Sequence, residues 1–381
     1  MKYNYSLVCA ILLSILVAAC LSAAPMAMAE QTVEITLEGE VYRAVVFPNP
    51  LPLGTASYRA YFEELWGLSP DLGRCLNALA PSLGDGVLAL LATLETPPQD
   101  AQVKVGTSGV SILPDRAGRG FDRYRLGAGL ADCLDGKPST SLSLAPTTAQ
   151  VTRADLASQT ATIGRFVTYY DPAAKERAAN LQLACKALNS LVLPAGEKLS
   201  FNATVGPRTP ERGFLPAPVI IDGDYTPGVG GGVCQVSTTL YNAALRAGLE
   251  IEDSHPHSLR AHYVGAGWDA MVSGWSDLIL VNSTPYPVYI FAEAKGGELS
   301  VKLLGRKVGR VKLWSEEIAR TPYPNEDEEG NTLAATEGLT LVKGGEDGVK
   351  VVTYRSIDGV VQRLRTSTYP PTPAVWSKPT E

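Results

Sequence analysis

The sequence predicts an α+β fold divided among several domains. Hydrophobic residues make up 45% of the 381 residues and charged residues 19%, a balance typical of globular proteins and not of disordered or fibrous chains. Glycine and proline together account for about one residue in six, which favours turns and β-structure over a helical bundle. Segments of alternating hydrophobicity are interspersed with segments of helical period, and a chain of this length suits two to three domains.

The overall charge argues against one class of partner. The formal net charge is −6, so a surface that binds polyanions over the whole protein is not expected. We therefore predict no nucleic-acid partner.

Residues 1–29 have the pattern of a signal peptide. Lys2 is the only charge before Glu30, and an apolar stretch of signal-peptide length lies between them. The small-x-small step at residues 27–29 predicts cleavage before Glu30. Two alternatives stay open: a lipobox that ends at Cys20, and an uncleaved anchor. All three predict an extracytoplasmic protein, secreted or attached to the cell envelope through its N-terminus only.

Residues 31–158 predict a small α+β domain. Alternation over residues 33–37 predicts a strand, and alternation over residues 103–112 predicts a hairpin. Leucines on one stripe predict an amphipathic helix over Arg123–Leu134. With the segment 112–118, this unit resembles the peptidoglycan-binding module of the YoaR-like proteins, which implies binding to peptidoglycan. Without that resemblance, the segment is a small domain with no assigned ligand.

Residues 160–306 contain a longer set of matching segments. These are residues 177–180, 194–202, 206–209, 228–243, 257–258, 267–270, and Asp277 followed by Asn282. Together they resemble the VanW family, named after an accessory protein of vancomycin B-type resistance clusters. The resemblance implies a central α+β VanW-like domain.

Residues 308–381 predict a short β-rich segment. Asp358-Gly359 lies between two alternating stretches, which is a strong signal for a two-residue hairpin. The hairpin and the closing Tyr369-Pro-Pro resemble a fragment of the G5 type of envelope-associated β-module.

Cys234 is the candidate nucleophile. Glycines precede it at position 228 and at positions 230–232, and the apolar spacing that follows predicts a helix ending at Gly248. A thiol at a helix N-terminus has a lowered pKa, and the free amides there can hold an oxyanion. This arrangement resembles papain-like and transglutaminase-like thiol enzymes.

A thiol nucleophile needs a base and a group that orients the base. The candidates lie within an eight-residue window: His255, His257 and His262. His257 falls in the His-Ser step of the VanW pattern. In a strand, His255 would face the same side and His262 would face away. We predict the catalytic set Cys234, His257 and Asp269, with Asp277 as an alternative to Asp269.

Several residues around Cys234 are predicted to bind the ligand. They are Gly230, Gly231, Gly232, Gln235, Thr238 and Asn242. Glycines let a substrate backbone approach closely. Thr238 and Asn242 could instead lie on the helix surface.

Two other readings of Cys234 stay open. The thiol could be structural, packing the helix start or pairing with Cys185 in a disulfide. It could also bind a metal with His255 and His257, or with Asp269.

Two functions follow from these interpretations of Cys234. In the first, the protein is a thiol-dependent enzyme that acts on peptide or amide bonds of peptidoglycan or its stem peptides. In the second, it is a non-catalytic wall-binding or glycopeptide-resistance accessory protein with a structural Cys234. We expect no cofactor and no metal in either case.

Overall fold

A computed structural model describes residues 29–221 and 224–378. The chain divides into two compact units. One unit contains the chain up to Gln102 together with Leu113–Arg153, and the other contains Val103–Ile112 and the chain from Ala154 onward. The signal-peptide prediction, apart from residue 29, lies outside the described residues. Within the described part of the chain, no helix has the length and apolarity needed to cross a membrane.

The N-terminal part of the chain alternates short strands with helices. Its elements are β1 (Gln31–Leu37), β2 (Glu40–Val46), α1 (Tyr58–Leu68), α2 (Leu72–Leu79), α3 (Leu83–Leu94), β3 (Gln102–Val105), β4 (Val110–Leu113), β5 (Gly118–Gly120), α4 (Arg123–Leu134), β6 (Ser141–Leu142), β7 (Ala145–Thr147) and α5 (Arg153–Ser158). The predicted strand and the predicted helix are both confirmed, as β1 and α4. The predicted hairpin is confirmed as the pair β3–β4.

The first unit has its own apolar core. Helices α1, α2 and α4 bury Phe62, Leu76 and Leu126 against β1. Helix α4 begins where predicted because Asp122 caps it, accepting a hydrogen bond from the Arg125 amide at 2.9 Å.

The central part of the chain adds the elements that surround Cys234. They are β8 (Ala161–Tyr169), α6 (Lys175–Leu188), β9 (Leu191–Leu193), β10 (Lys198–Ser200), α7 (Phe201–Val205), β11 (Pro216–Ile221), β12 (Asp224–Val229), α8 (Val233–Ala247), β13 (Glu250–Asp253), β14 (Ile279–Val281), β15 (Val288–Lys295) and β16 (Glu298–Gly305). The strand order β8-β16-β15-β9 forms an antiparallel sheet.

Helix α8 lies at the centre of the second unit. Its apolar side chains Val236, Leu240 and Ala244 are fully buried with residues of the four-stranded sheet. Gly248 ends the helix as predicted, with φ of 79° and its amide donating to carbonyls of the last turn. The core therefore fixes the position of the helix and of the cysteine at its start.

The C-terminal part of the chain is built from strands. They are β17 (Val311–Thr321), β18 (Asn325–Asp327), β19 (Thr340–Lys343), β20 (Gly348–Ile357), β21 (Val360–Tyr369) and β22 (Ala374–Ser377). The predicted hairpin is confirmed: Asp358 and Gly359 join β20 to β21 with φ of 49° and 92°. These strands cluster with the central elements in the second unit. The predicted α+β class is confirmed.

Candidate active site around Cys234

Cys234 is the second residue of α8 and is half-buried. The loop before it turns through Gly230 and Gly232, which have φ of 85° and 103°. The amides of Val233 and Gln235 donate back to this loop, to the carbonyls of Gly230 at 3.1 Å and Gly232 at 2.7 Å. Among the described residues, the Cys234 amide has no such acceptor. It is therefore available to an oxyanion formed beside the thiol.

A buried asparagine holds the glycine loop in place. Asn180, on α6, donates to the carbonyl of Gly231 at 3.0 Å and to that of Leu215 at 2.9 Å, and accepts from the Leu215 amide at 2.8 Å. Each donor or acceptor used here would be costly to leave unpaired. Asn180 thus ties α6, the approach to β11 and the nucleophile loop together.

We expect Gly231→Ala to destabilise this loop, because there is no room for a side chain at position 231. A Cβ at this position would lie 2.4 Å from the carbonyl oxygen of Ala217 in β11, and backbone cannot move aside easily. The expected cost is about 1–3 kcal/mol of unfolding free energy, with slower alkylation of Cys234. Gly274→Ala is the control, because a Cβ there meets nothing within 4 Å. Equal unfolding midpoints for the two variants in urea would contradict the expectation.

His257 and Asp269 form a buried pair beside the thiol. Their exposed fractions are 6% and 1%. His257 Nδ1 lies 2.7 Å from Asp269 Oδ2, and the backbone amide of His257 donates to the same oxygen at 2.6 Å. The Nδ1 contact leaves Nε2 for the Cys234 sulfur, with which the ring interacts. The thiol also lies 3.3 Å from the carbonyl oxygen of Val272. The structure therefore brings the three predicted catalytic residues together.

The pKa values of these groups shift in directions that favour an ion pair. Burial raises the pKa of Cys234, but the hydrogen bond and charge of His257 outweigh it and the pKa falls below its ordinary value. Burial lowers the pKa of His257, but the hydrogen bonds to Asp269 and Cys234 and their charges raise it to about 9. Burial raises the pKa of Asp269, and His257 and Arg365 bring it below its usual range. All three shifts favour the charged forms, which are thiolate, imidazolium and carboxylate.

Two residues of the C-terminal strands complete the surroundings of Asp269. The Tyr369 hydroxyl donates to Asp269 Oδ1 at 2.5 Å and accepts from the Gly267 amide at 2.9 Å. Arg365 donates to Asp269 Oδ1 at 3.2 Å and also to its carbonyl oxygen. Sequence reasoning assigned neither residue to the site, because both lie about a hundred positions after Asp269 and carry no local signal.

The polar side chains of α8 form hydrogen bonds inside the protein. Gln235 accepts from Arg177 at 2.9 Å and donates to the carbonyl of Tyr169 at 2.8 Å. Thr238 accepts from the Ala270 amide at 2.9 Å, and Asn242 donates to the carbonyl of Trp268 at 2.6 Å. The contacts of Thr238 and Asn242 hold the segment that carries Asp269, and those of Gln235 join α8 to α6 and β8.

The alternative that Thr238 and Asn242 lie on the helix surface is wrong, because their exposed fractions are 0% and 1%. Ligand binding by Gln235, Thr238 and Asn242, and by Gly230, Gly231 and Gly232, stays a prediction.

The other predicted partners are placed elsewhere. His255 and His257 do not lie in a strand; His255 makes only an isolated bridge with Met271, and its exposed ring lies 2.9 Å from Asp253. His262 is also exposed, 3.7 Å from Glu346. The expectation that His255 faces the thiol side is therefore wrong.

Asp277 was the predicted alternative to Asp269 as the carboxylate that orients His257, but it makes other contacts. It accepts hydrogen bonds from the Ser200 hydroxyl and from the amides of Asn202 and Leu278, the latter two at 2.9 and 2.8 Å. It therefore caps the turn between β10 and α7, and Asp269 is the carboxylate paired with His257.

The disulfide alternative is also wrong. Cys75, Cys133, Cys185 and Cys234 are all free thiols. Burial raises the pKa of Cys185 to about 12, so this thiol stays protonated, in contrast to Cys234. Within residues 29–221 and 224–378, no group of three His, Cys, Asp or Glu side chains is placed to hold a metal ion.

Tyr263 adds a polar group that was given no chemical role from sequence. Its hydroxyl oxygen is buried, near Thr238 and the charge of Cys234. Burial, and then the charge of Cys234, raise the pKa of Tyr263, so the phenol keeps its proton beside the thiol.

Comparison with known proteins places this site in a recognised family segment. Residues 176–304 match the family model described as VanW like protein. The chain is 39% identical over 165 residues to the uncharacterized protein YoaR of Bacillus subtilis (strain 168), covering 43% of this chain and 54% of YoaR. It is 32% identical over 111 residues to the vancomycin B-type resistance protein VanW of Enterococcus faecalis (strain ATCC 700802 / V583), covering 28% of this chain and 40% of that protein.

The chain thus spans about half or less of the length of these two relatives. No solved structure matches it. The matched segment includes Cys234, His257 and Asp269. Residues 176–304 are therefore similar to the VanW family, and the thiol, imidazole and carboxylate described above all lie within this segment.

Proposed function

We propose that the protein is an extracytoplasmic cell-envelope thiol enzyme that hydrolyses peptide or amide bonds in peptidoglycan stem peptides. The observation that carries the proposal is the arrangement of Cys234, His257 and Asp269 at the start of α8. A thiol, a base within reach of it and a carboxylate that orients the base are the parts that acyl transfer by cysteine requires.

In the first step, the thiolate sulfur of Cys234 attacks the carbonyl carbon of the substrate. A carbon–sulfur bond forms, and the carbonyl oxygen takes up negative charge. The Cys234 amide, which has no backbone acceptor among the described residues, would donate to this oxygen. The carbon–nitrogen bond then breaks, and the departing amine takes the proton from Nε2 of His257. Asp269 keeps the ring oriented through Nδ1.

In the second step, water releases the acyl group. His257, now neutral, takes a proton from water while the water oxygen attacks the thioester carbon. The carbon–sulfur bond breaks, and the thiolate and imidazolium are restored together with a carboxylic acid product. No oxidant or further reactant is needed.

The choice of substrate rests on location and on resemblance. The apolar, charge-poor leader of residues 1–29 predicts export, and residues 31–158 resemble a peptidoglycan-binding module. An enzyme placed outside the membrane beside the cell wall would meet peptide bonds there in the stem peptides of peptidoglycan. Cleavage before Glu30 would release the protein, whereas lipidation at Cys20 or an uncleaved leader would attach it to the membrane through its N-terminus.

A second candidate is a non-catalytic, wall-binding accessory protein with a structural Cys234. The observation that favours it is the similarity to a relative whose name refers to vancomycin B-type resistance. The two candidates differ in the state of one thiol: an enzyme needs a reactive Cys234 thiolate, and an accessory protein does not.

The test is to incubate the purified protein with purified peptidoglycan and to analyse the soluble products by mass spectrometry. We expect new free carboxyl and amino ends at one stem-peptide bond, and their loss in Cys234→Ser. Cys133→Ser is the matched control, because it makes the same thiol-to-hydroxyl change in the other unit. Products that persist in Cys234→Ser, or no products with the unaltered protein, would exclude the enzyme and favour the accessory role.

A further inference from the structure

Two arginines lie against the nucleophile loop, and a third lies near one of them. The carbons Cβ and Cγ of Arg208 lie 2.8 and 3.0 Å from the position a Cβ would take on Gly230. Arg177 Cγ lies 3.0 Å from the equivalent position on Gly232. Arg212 folds over Gly206, close enough to Arg208 for the two charges to interact. This local concentration of positive charge stands out in a protein with a net charge of −6.

Neutral groups hold all three guanidinium groups. Arg208 donates to the side-chain oxygen of Asn202 at 2.5 Å, with its guanidinium carbon 5.9 Å from the Phe201 ring centre. Arg177 donates to the side-chain oxygen of Gln235 at 2.9 Å, and Arg212 to the carbonyl of Pro207 at 3.1 Å. Among the residues whose side chains the structure describes, 29–219 and 226–378, none of the three forms an ion pair with a carboxylate. Burial lowers the pKa of Arg208, and the negative charge of Asp277 partly offsets this shift. The carboxylate of Asp277, however, accepts hydrogen bonds from the backbone amides of Asn202 and Leu278.

Arg208 is the arginine best placed to meet a substrate at Cys234. It is half-buried, its Cβ and Cγ lie against Gly230 of the nucleophile loop, and its positive charge helps to lower the pKa of Cys234. One N–H of the planar fork is used by Asn202, which fixes its orientation. A guanidinium has five donors, and the others remain for a ligand. An oriented guanidinium without an anionic partner is suited to bidentate binding of a carboxylate.

We propose that Arg208, supported by the charge of Arg177, forms a carboxylate-binding subsite beside Cys234, so that the preferred substrate is a peptide with a free carboxylate next to the reacting carbonyl. The inference of a preferred substrate rests on the proposed function, but the subsite itself does not. In a stem peptide, the carboxylate could be terminal or belong to a side chain, and the same fork would bind either.

The first experiment tests the subsite without any turnover. Cys234 is alkylated with iodoacetate, which carries a carboxylate, and in parallel with iodoacetamide, which is neutral. In both reactions the thiolate sulfur bonds to the methylene carbon and iodide leaves. Both rates are proportional to the fraction of Cys234 that is thiolate, so their ratio does not depend on it. The ratio therefore measures how strongly the site favours the reagent that carries a carboxylate. Peptide mapping by mass spectrometry separates Cys234 from the other thiols.

We expect the iodoacetate-to-iodoacetamide ratio at Cys234 to exceed that of N-acetylcysteine by on the order of tenfold. Arg208→Gln should reduce it to the N-acetylcysteine value, and Arg208→Lys should retain part of the excess. Arg165→Gln is the control, since it removes the same charge from an exposed position on β8. A wild-type ratio equal to that of N-acetylcysteine overturns the subsite, whether or not the Gln variant folds. An elevated ratio unchanged in Arg208→Gln overturns the assignment to Arg208.

The second experiment identifies the source of the carboxylate. Synthetic stem peptides are compared as the free acid, the terminal amide and the side-chain amide. We expect one of the two amides to lower kcat/KM by about 10- to 100-fold in the unaltered protein and to have little effect in Arg208→Gln. Equal hydrolysis of all three peptides contradicts the preferred substrate. If no peptide is hydrolysed but the alkylation ratio is elevated, the proposed enzyme activity is excluded and the carboxylate-binding subsite is supported.

Discussion

Replacement of His257 by alanine is expected to slow turnover by on the order of 10²- to 10⁴-fold, the usual contribution of a positioned general acid and base. The same change should slow alkylation of Cys234 at neutral pH. In the unaltered protein His257 lowers the pKa of the thiol through its hydrogen bond and charge, against the opposing effect of burial. Without the imidazolium, burial would dominate, and the pKa of Cys234 should rise.

The measurement is the rate of iodoacetamide alkylation of Cys234 as a function of pH. The unaltered protein should react below the ordinary thiol range, and His257→Ala only at higher pH. Activity should fall as pH rises through about 9, because His257 then loses the proton that the leaving amine requires. His255→Ala and His262→Ala are matched controls, since both rings are exposed and pair with other carboxylates. A thiol that titrates near 8.5 in all four proteins would rule out the pair.

Replacement of Asp269 by alanine is expected to destabilise the second unit by about 3–5 kcal/mol, because it leaves buried cationic groups without their partner. Asp269 accepts from the ring and amide of His257, from Arg365 and from the Tyr369 hydroxyl. Asp269 therefore joins the segment around His257 to strand β21. The same substitution should also disable Cys234, since the ring of His257 loses the contact that orients it.

The measurement is the unfolding midpoint in urea, compared with that of Asp253→Ala. Asp253 pairs with the exposed ring of His255, so its loss should change the unfolding free energy by no more than about 0.5 kcal/mol. Tyr369→Phe separates the two roles of Asp269, because it removes one hydrogen bond and keeps the charge pair. It should cost about 1–2 kcal/mol and leave the alkylation profile nearly unchanged. Equal midpoints for Asp269→Ala and Asp253→Ala would show that the buried network contributes little.

Local pattern was enough to predict several elements of the fold. Helix α4 spans the predicted residues, and α8 ends at the predicted Gly248. The hairpin at Asp358-Gly359 also has the predicted turn. These features depend on side-chain period, on a capping residue or on a turn that requires positive φ, and all three are set by residues close together in sequence. The position of Cys234 at a helix start follows from the same reasoning.

Sequence patterns gave wrong expectations for side chains whose burial depends on segments distant in the chain. Thr238 and Asn242 have the polarity of helix-surface residues, yet both are buried and hold the segment around Asp269. His255 and His257 have the spacing of one strand face, yet without a strand one ring is exposed and the other buried. A polar side chain can be buried when its partners are provided elsewhere in the chain, and a period of three or four residues cannot reveal those partners.

The candidate site shows the same division. Amino-acid sequence identified Cys234 through its glycine loop and helix, and selected His257 through the family pattern. It preferred Asp269 and kept Asp277 as an alternative, because both follow at suitable distances along the chain. Folding separates them: Asp277 caps a turn, whereas Asp269 meets His257, Arg365 and Tyr369. The electrostatic state of the thiol depends on this buried arrangement, because Coulomb interactions depend on distances in space and on burial, which sequence separation does not determine.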